Sequence, residues 1–261
     1  MNTTPNSLEE ALHLLQRQQD EMDRLHAAYE AWMRAVAHDL RAPLRHVVSF
    51  APLLRESVEE LAAAAPQAVD AAADAREFAA TMEQAGRKMT AMLDGMALVS
   101  RASRVALKKG AVDWAALVQQ LVQALQTRHP AVQWQLSLPF VAWVQADLEW
   151  LREVTQALLD NALKFSVGKM PAVIQLDMQT LSEGVWRLSV RDNGVGFDDS
   201  RATTLGGLFQ RMHSEKAFEG VGCGLALVST VAQRHGARWH IHSRPEQGCT
   251  VSVDWPRASA D

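Results

Sequence analysis

Cysteine is almost missing from this chain of 261 residues. Its two cysteines, Cys223 and Cys249, are far apart and lack metal-ligand spacing, which points to a reducing, cytoplasmic setting. No stretch reaches the roughly 18 consecutive apolar residues of a bilayer-spanning helix, so direct membrane insertion is not expected. The opening MNTTPNSLEE has neither a basic n-region nor an apolar h-region, so no secretory signal is expected. Basic charge is not in excess. The 26 Lys and Arg stand against 30 Asp and Glu, giving a formal charge of −4 and a pI near 6.1, which argues against nucleic acid as a partner. The phosphate-binding pattern G-x-x-x-x-G-K-[ST] is absent as well. Internal repeats and Gly/Ser-rich linkers are also lacking. Apolar content, in contrast, is ample: 48% hydrophobic against 21% charged residues suffices for a sizeable core.

Ser7 and Glu10 make a capping-box pattern just ahead of an apolar rhythm. The rhythm runs Leu8, Leu12, Leu15, Gln19, Met22, His26, Tyr29, Met33, Val36, Leu40, the alternating steps of a coiled-coil seam. A second series, Phe78, Met82, Ala85, Met89, Met92, Met96, Val99, repeats the alternation. Between them LAAAAPQAVDAAAD, with Pro66, reads as a helix-to-helix turn. A hairpin with one apolar stripe per helix buries both poorly on its own, so a dimeric four-helix bundle is expected. Residues 8–33 taken alone read as a coiled-coil tether.

After about residue 105 the texture changes. Trp114 to Leu125 reads as a helix, VQWQLSL as a strand and LEWLREVTQALLDNALKF as a strongly amphipathic helix. VIQLDMQTL and VWRLSVRD form a hairpin through SEG; GLALVSTVAQRHG is a helix ending at Gly236, and WHIHS and TVSVDW are closing strands. Mixed helices and mostly antiparallel strands predict an α+β layer sandwich.

Two glycine clusters lie in this half. RDNGVGFD follows a strand, so a carboxylate at the strand end precedes two flexible backbone positions. EGVGCGLALV opens a helix, whose amides and positive N-terminus suit phosphate. Each cluster alone is equally an ordinary loop. The preceding helix changes that, because Asn161, Lys164 and Phe165 at i, i+3 and i+4 share one face. An oxygen ligand, an ammonium and a ring make a nucleotide-facing set, and Mg²⁺ held mostly by phosphates and water needs few protein oxygens.

In order, ALLDNALKFS, DNGVGF, LFQRMH and GVGCGLALV resemble the N, G1, F and G2 boxes of sensor histidine kinases. Upstream, AHDLRAPLRHV resembles their phosphoacceptor box, and HDLRAPLRH with FQRMHS is similar to the bacterial phytochrome-type branch. The resemblance covers roughly residues 30 to 256. It implies a dimeric helical hairpin followed by the α/β sandwich shared with gyrase-type and chaperone ATPases. The boundaries expected are 1–33 for an N-terminal helical extension, 34–106 for dimerisation and histidine phosphotransfer, and 107–261 for ATP binding.

Carried over, the resemblance implies Asn161 as magnesium ligand, Lys164 as phosphate contact and Asp192 as acceptor for the adenine amino group. Phe165 would line the base pocket, shaped by Gly194 and Gly196. Gly220, Gly222 and Gly224 would form a mobile lid anchored by Phe209. Three departures stand out: Ala157 where a second asparagine is common, Val221 in place of a lid threonine, and His213–Ser214 where many members have an arginine. Each removes about one polar contact, on the order of 1 kcal/mol.

His38 is one of nine histidines, most of them structural by default. It sits two residues from both Val36 and Leu40, about 200° from the seam, and so projects from the bundle. The resemblance makes it the phosphoacceptor and gives Asp39 the role of fixing the tautomer and raising the basicity of the free nitrogen. Neighbouring side chains on a helix do not normally face each other. A bend at Pro43, whose ring conflicts with the Asp39 carbonyl, would relieve that, and Pro52 bends the helix again. Arg41, Arg45 and His46 read equally as donors for phosphate or an acidic receiver, and as a solvated basic face. Ala42 stands where kinases that also dephosphorylate their regulator carry Thr or Asn, so weak phosphatase activity is expected.

The reading is therefore a cytoplasmic homodimer that uses ATP and Mg²⁺ to phosphorylate His38 and passes phosphate to a response-regulator receiver domain. Input would come through residues 1–33 or from a separate sensor protein. Two rivals are a degenerate kinase acting as scaffold or phosphotransfer protein, and an ATPase of the same fold that phosphorylates no protein.

Overall fold

The computed structural model describes residues 8–64, 69–182, 184–214 and 217–258. Ser7 of the capping box and Pro66 of the helical turn lie outside the described residues. Contacts divide the chain into two compact units, Met1–Leu93 and Asp94–Asp261. No described helix is long and apolar enough to cross a membrane.

The first unit is a helical hairpin. Helix α1 spans Leu8–Ala64 and runs through both Pro43 and Pro52. Helix α2, Val69–Arg104, returns alongside it and crosses the division between the units. Arg55 pairs with Glu83 at 3.8 Å, and a Cβ on Gly86 would stand 2.7 Å from Val48 Cγ2, which fixes the antiparallel register. The inner seam consists mostly of small residues. Ala37, Leu44 and Ala51 of α1 and Ala72, Ala79, Gly86 and Leu93 of α2 are buried, each series at heptad spacing. Large residues of the expected stripes stay exposed, among them Leu40, Phe78, Met82 and Met89, joined by Phe50, Leu53, Leu54 and Leu61. Small side chains let the helices of one hairpin approach closely, and the bulky ones cover a second face.

The second unit contains the sandwich. A short ribbon pairs β1, Gly110–Asp113, with β3, Trp143–Ala146, antiparallel. A five-stranded sheet is formed from β2 (Gln133–Ser137), β4 (Val173–Ser182), β5 (Val185–Asp192), β6 (Arg238–Arg244) and β7 (Gly248–Pro256), in the order β2-β4-β5-β7-β6. Only β2 with β4 is parallel; the other neighbours are antiparallel.

Helices α3 (Trp114–Arg128), α4 (Leu148–Phe165) and α5 (Gly224–His235) form the covering layer. Asp113 caps α3 and Asp147 caps α4, each accepting two amides of the helix it caps. Helix α5 ends at Gly236, whose φ of 70° makes a left-handed cap. Trp114 and Trp255 pack edge to face at 5.7 Å in the core, and the Trp114 indole donates to Thr155 Oγ1 at 3.0 Å.

Candidate functional site

Strand period sets the first acidic group. In β5 the inward row is Trp186, Leu188, Val190 and Asp192, all buried, so alternation carries a carboxylate in behind three apolar side chains. Asp192 Oδ1 accepts the Gly194 amide at 2.9 Å and the Cys249 amide at 3.3 Å, which leaves Oδ2 for a ligand. Burial outweighs these bonds and pushes the Asp192 carboxyl up to about 6.

The loop after β5 packs tightly against α4 and the β6–β7 turn. Val195 donates to the Phe165 carbonyl at 3.2 Å, closing the loop onto the end of α4. At Gly196, where φ is +56°, a Cβ would lie 2.0 Å from the Arg244 carbonyl oxygen, so no side chain fits.

The α4 face meets that loop. Asn161, Lys164, Phe165, Asp192 and Gly196 line one cavity of about 230 Å³ together with Gly220, Gly222 and Gly224. Cβ atoms added to the lid glycines locate them: one on Gly224 would be 3.5 Å from Asn161 Nδ2, and one on Gly220 would be 3.3 Å from Lys164 Nζ. Lys164 Nζ also lies 4.5 Å from the centre of the Phe165 ring. Burial first, then the charge of Arg211, lowers the Lys164 pKa, while Asp160 opposes them.

Gly194 and Phe209 are not in the cavity wall. Gly194 donates its amide to Asp192, and Phe209, with φ 63°, donates its amide to the Gly222 carbonyl at 3.0 Å. Ala157 packs against the hydrophobic core, and Val221 lines the cavity.

Several wall residues escaped the sequence reading. Arg211, two places before His213, brings an arginine of the F box to the cavity. Both free cysteines line it as well. Burial raises both thiols, Cys249 to about 12 with Asp192 adding to the effect, so they are neutral wall groups. Among the described residues no cluster of three His, Cys, Asp or Glu groups exists to hold a metal unaided. A magnesium ion brought in with phosphates fits the single amide oxygen of Asn161.

His38 and Asp39 belong to the other unit. Both side chains are exposed, at 86% and 80%, and His38 Nδ1 lies 3.1 Å from Asp39 Oδ1. Adjacent residues on α1 therefore do meet, and Nε2 is left facing solvent. Ala42, one turn on, is also exposed.

A strand-end carboxylate, an Asn/Lys helix face and a glycine lid enclosing one cavity are the features of a nucleotide-binding domain. Residues 146–259 match the family described as histidine kinase-, DNA gyrase B- and HSP90-like ATPase. The chain is 25% identical over 252 residues to Cyanobacterial phytochrome A of Nostoc sp., a match that takes in 94% of this chain and 32% of that protein. It is 28% identical over 251 residues to histidine protein kinase DivJ of Caulobacter vibrioides, covering 94% of this chain and 40% of DivJ. Sensor protein KdpD of Escherichia coli is 29% identical over 233 residues, or 88% of this chain and 24% of KdpD. The chain thus spans about a third of the length of the phytochrome it matches, 32%. Among solved structures, full-length ShkA in complex with AMPPNP superposes with a TM-score of 0.60 at 22% identity, covering 88% of this chain and 46% of ShkA. The mycobacterial sensor histidine kinase MprB gives 0.51 at 20% identity over 57% of this chain and 97% of its own. These two likenesses establish the fold. Over most of its length the chain is similar to histidine kinases, and residues 146–259 match the ATPase family those kinases share with DNA gyrase B and HSP90.

Proposed function

We propose that the protein is an ATP-dependent histidine kinase that phosphorylates His38 and passes the phosphoryl group to an aspartate of a response-regulator receiver domain. The observation that carries this is the convergence of Asn161, Lys164, Asp192 and the lid glycines on one cavity, in a chain that also presents an exposed His38–Asp39 pair.

In this reading Asp192 Oδ2 accepts the adenine amino group and Phe165 lines the base. Lys164 and the lid amides at the start of α5 hold the phosphates. Mg²⁺, held by Asn161 together with the phosphates, supplies charge neutralisation when bound. Asp39 accepts the Nδ1 proton of His38 and keeps the Nε2 lone pair outward. Nε2 attacks the γ-phosphorus, a nitrogen–phosphorus bond forms, and the bond to the β-bridging oxygen breaks with its electron pair leaving on ADP. The Nδ1 proton remains shared with Asp39, balancing charge on the phosphorylated ring.

Residues 34–106 serve as the dimerisation and phosphotransfer domain and 107–261 as the ATP-binding domain, with 1–33 as a coiled-coil extension. The exposed stripe of Phe50, Leu54, Phe78 and Met82 supports a homodimer closed as a four-helix bundle. The cysteine content and the absence of a spanning helix among the described residues fit a cytoplasmic protein. Ala42 has no polar atom to orient water, so receiver phosphatase activity is weak.

The test is incubation with γ-labelled ATP. Wild type gains acid-labile label, whereas His38→Ala and Asn161→Ala do not; label persisting without His38 removes the acceptor assignment.

A further inference from the structure

Three rings close a triangle at the edge of the cavity. Phe165 at the end of α4 lies 5.4 Å from His213 and 5.2 Å from Phe218, and the last two are 5.3 Å apart, centroid to centroid. Lys164 Nζ rests over the Phe165 ring and beside Gly220. Arg211 secures the same corner by donating from Nη2 to the Phe218 carbonyl at 2.6 Å. His213 is half-buried in this corner and lines the cavity.

The charges that act on His213 are all positive. They come from three directions: Lys164 on α4, Arg201 in the 3-10 turn Asp199–Thr204, and Arg211 on the same loop. Of the nearby carboxylates, Asp160 acts on Lys164, and Asp192 sits in the cavity wall with the neutral thiols Cys223 and Cys249. Imidazole is the basic group here whose charge changes near neutral pH. In the protein alone, burial and then the three cations lower its pKa, against a hydrogen bond to the Gly196 backbone that raises it. Phosphate oxygens in the same corner reverse the largest charge effect, because they attract a proton where the cations repel it.

We infer that His213 is a phosphate-binding group that takes up a proton when a nucleoside triphosphate enters the cavity. An arginine there would carry its charge at every pH; a histidine makes the hold conditional on acidity. The inference rests on the proposed ATP-binding reading and deepens it. Its sign is definite: a ring that is neutral before binding and protonated after it makes affinity fall as pH rises between the two pKa values. A bound-state rise of one unit weakens ATP binding about tenfold across that interval.

Calorimetric titration with ATP at neutral pH, in buffers of different ionisation enthalpy, counts the protons taken up. Free ATP is the same in every titration, so differences between variants report the bound state around position 213. Wild type takes up more protons than His213→Gln. His213→Arg binds ATP without the extra uptake, and its affinity lacks the tenfold fall with pH. Equal proton counts for wild type and His213→Gln, with ATP bound by both, overturn the inference and leave the nucleotide reading standing. If ATP binds none of the three proteins, both readings fall.

Discussion

Replacing Asp192 by asparagine should stabilise the second unit near neutral pH while weakening nucleotide binding. The folded carboxyl is raised from 3.8 to about 6, chiefly by burial. At about 1.4 kcal/mol per pKa unit, that shift corresponds to about 3 kcal/mol. Because the folded pKa is the higher one, the fold favours the protonated acid. Wild-type stability from this group is therefore fully present below about pH 4, falls as pH rises toward 6, and is level above that. Asparagine keeps the Oδ1 acceptor for the Gly194 and Cys249 amides and carries no charge. Urea unfolding followed by tryptophan fluorescence reads the second unit, since Trp32 alone among eight tryptophans lies in the first. The stability of Asp192→Asn relative to wild type should grow by about 2.4 kcal/mol from pH 4 to pH 7. ATP affinity should drop about 10- to 100-fold, the worth of a hydrogen bond to a charged group. A stability difference that does not change with pH refutes the argument from burial.

Gly248→Ala should cost at least about 3 kcal/mol in thermal melting, because φ is +84° and the new methyl would lie 1.9 Å from the Asp192 carbonyl oxygen. His235 is buried, with Nδ1 donating to Val231 O at 2.8 Å and Nε2 accepting the Asp147 amide at 3.2 Å, and burial lowers its pKa. Stability from keeping it neutral is present above its unfolded value of about 6.5 and lost as pH falls below it; His235→Gln should flatten that part of the pH–stability curve. Phe78→Glu, on the exposed stripe of α2, should turn a dimer into a monomer by light scattering while helical circular dichroism remains.

Helix α4 was legible in the sequence to its end residues, because an unbroken amphipathic period runs over Leu148–Phe165. The β1–β3 ribbon was not, since four-residue strands carry too little alternation to register. In the hairpin, attention to large apolar side chains selected the outer stripe. The inner seam of Ala37, Ala51, Ala79 and Gly86 has weak hydropathy and shows itself only through close approach. The order of the boxes brought out Asn161, Lys164 and Asp192, yet not that Cys249, 57 residues beyond Asp192, would donate to it. That meeting depends on the pairing of β5 with β7, which places Arg191 opposite Thr250. Arg211 was passed over for a similar reason, as its reach depends on how the lid folds back onto Phe209.

The proposed activity moves the γ-phosphoryl group of ATP onto one imidazole. Phosphorus NMR of the protein after incubation with ATP and Mg²⁺ tests it most directly. The account predicts a phosphoramidate resonance that disappears in acid and is absent from His38→Ala. A spectrum with ATP consumed and no protein-bound phosphorus, or with the resonance intact in His38→Ala, contradicts it.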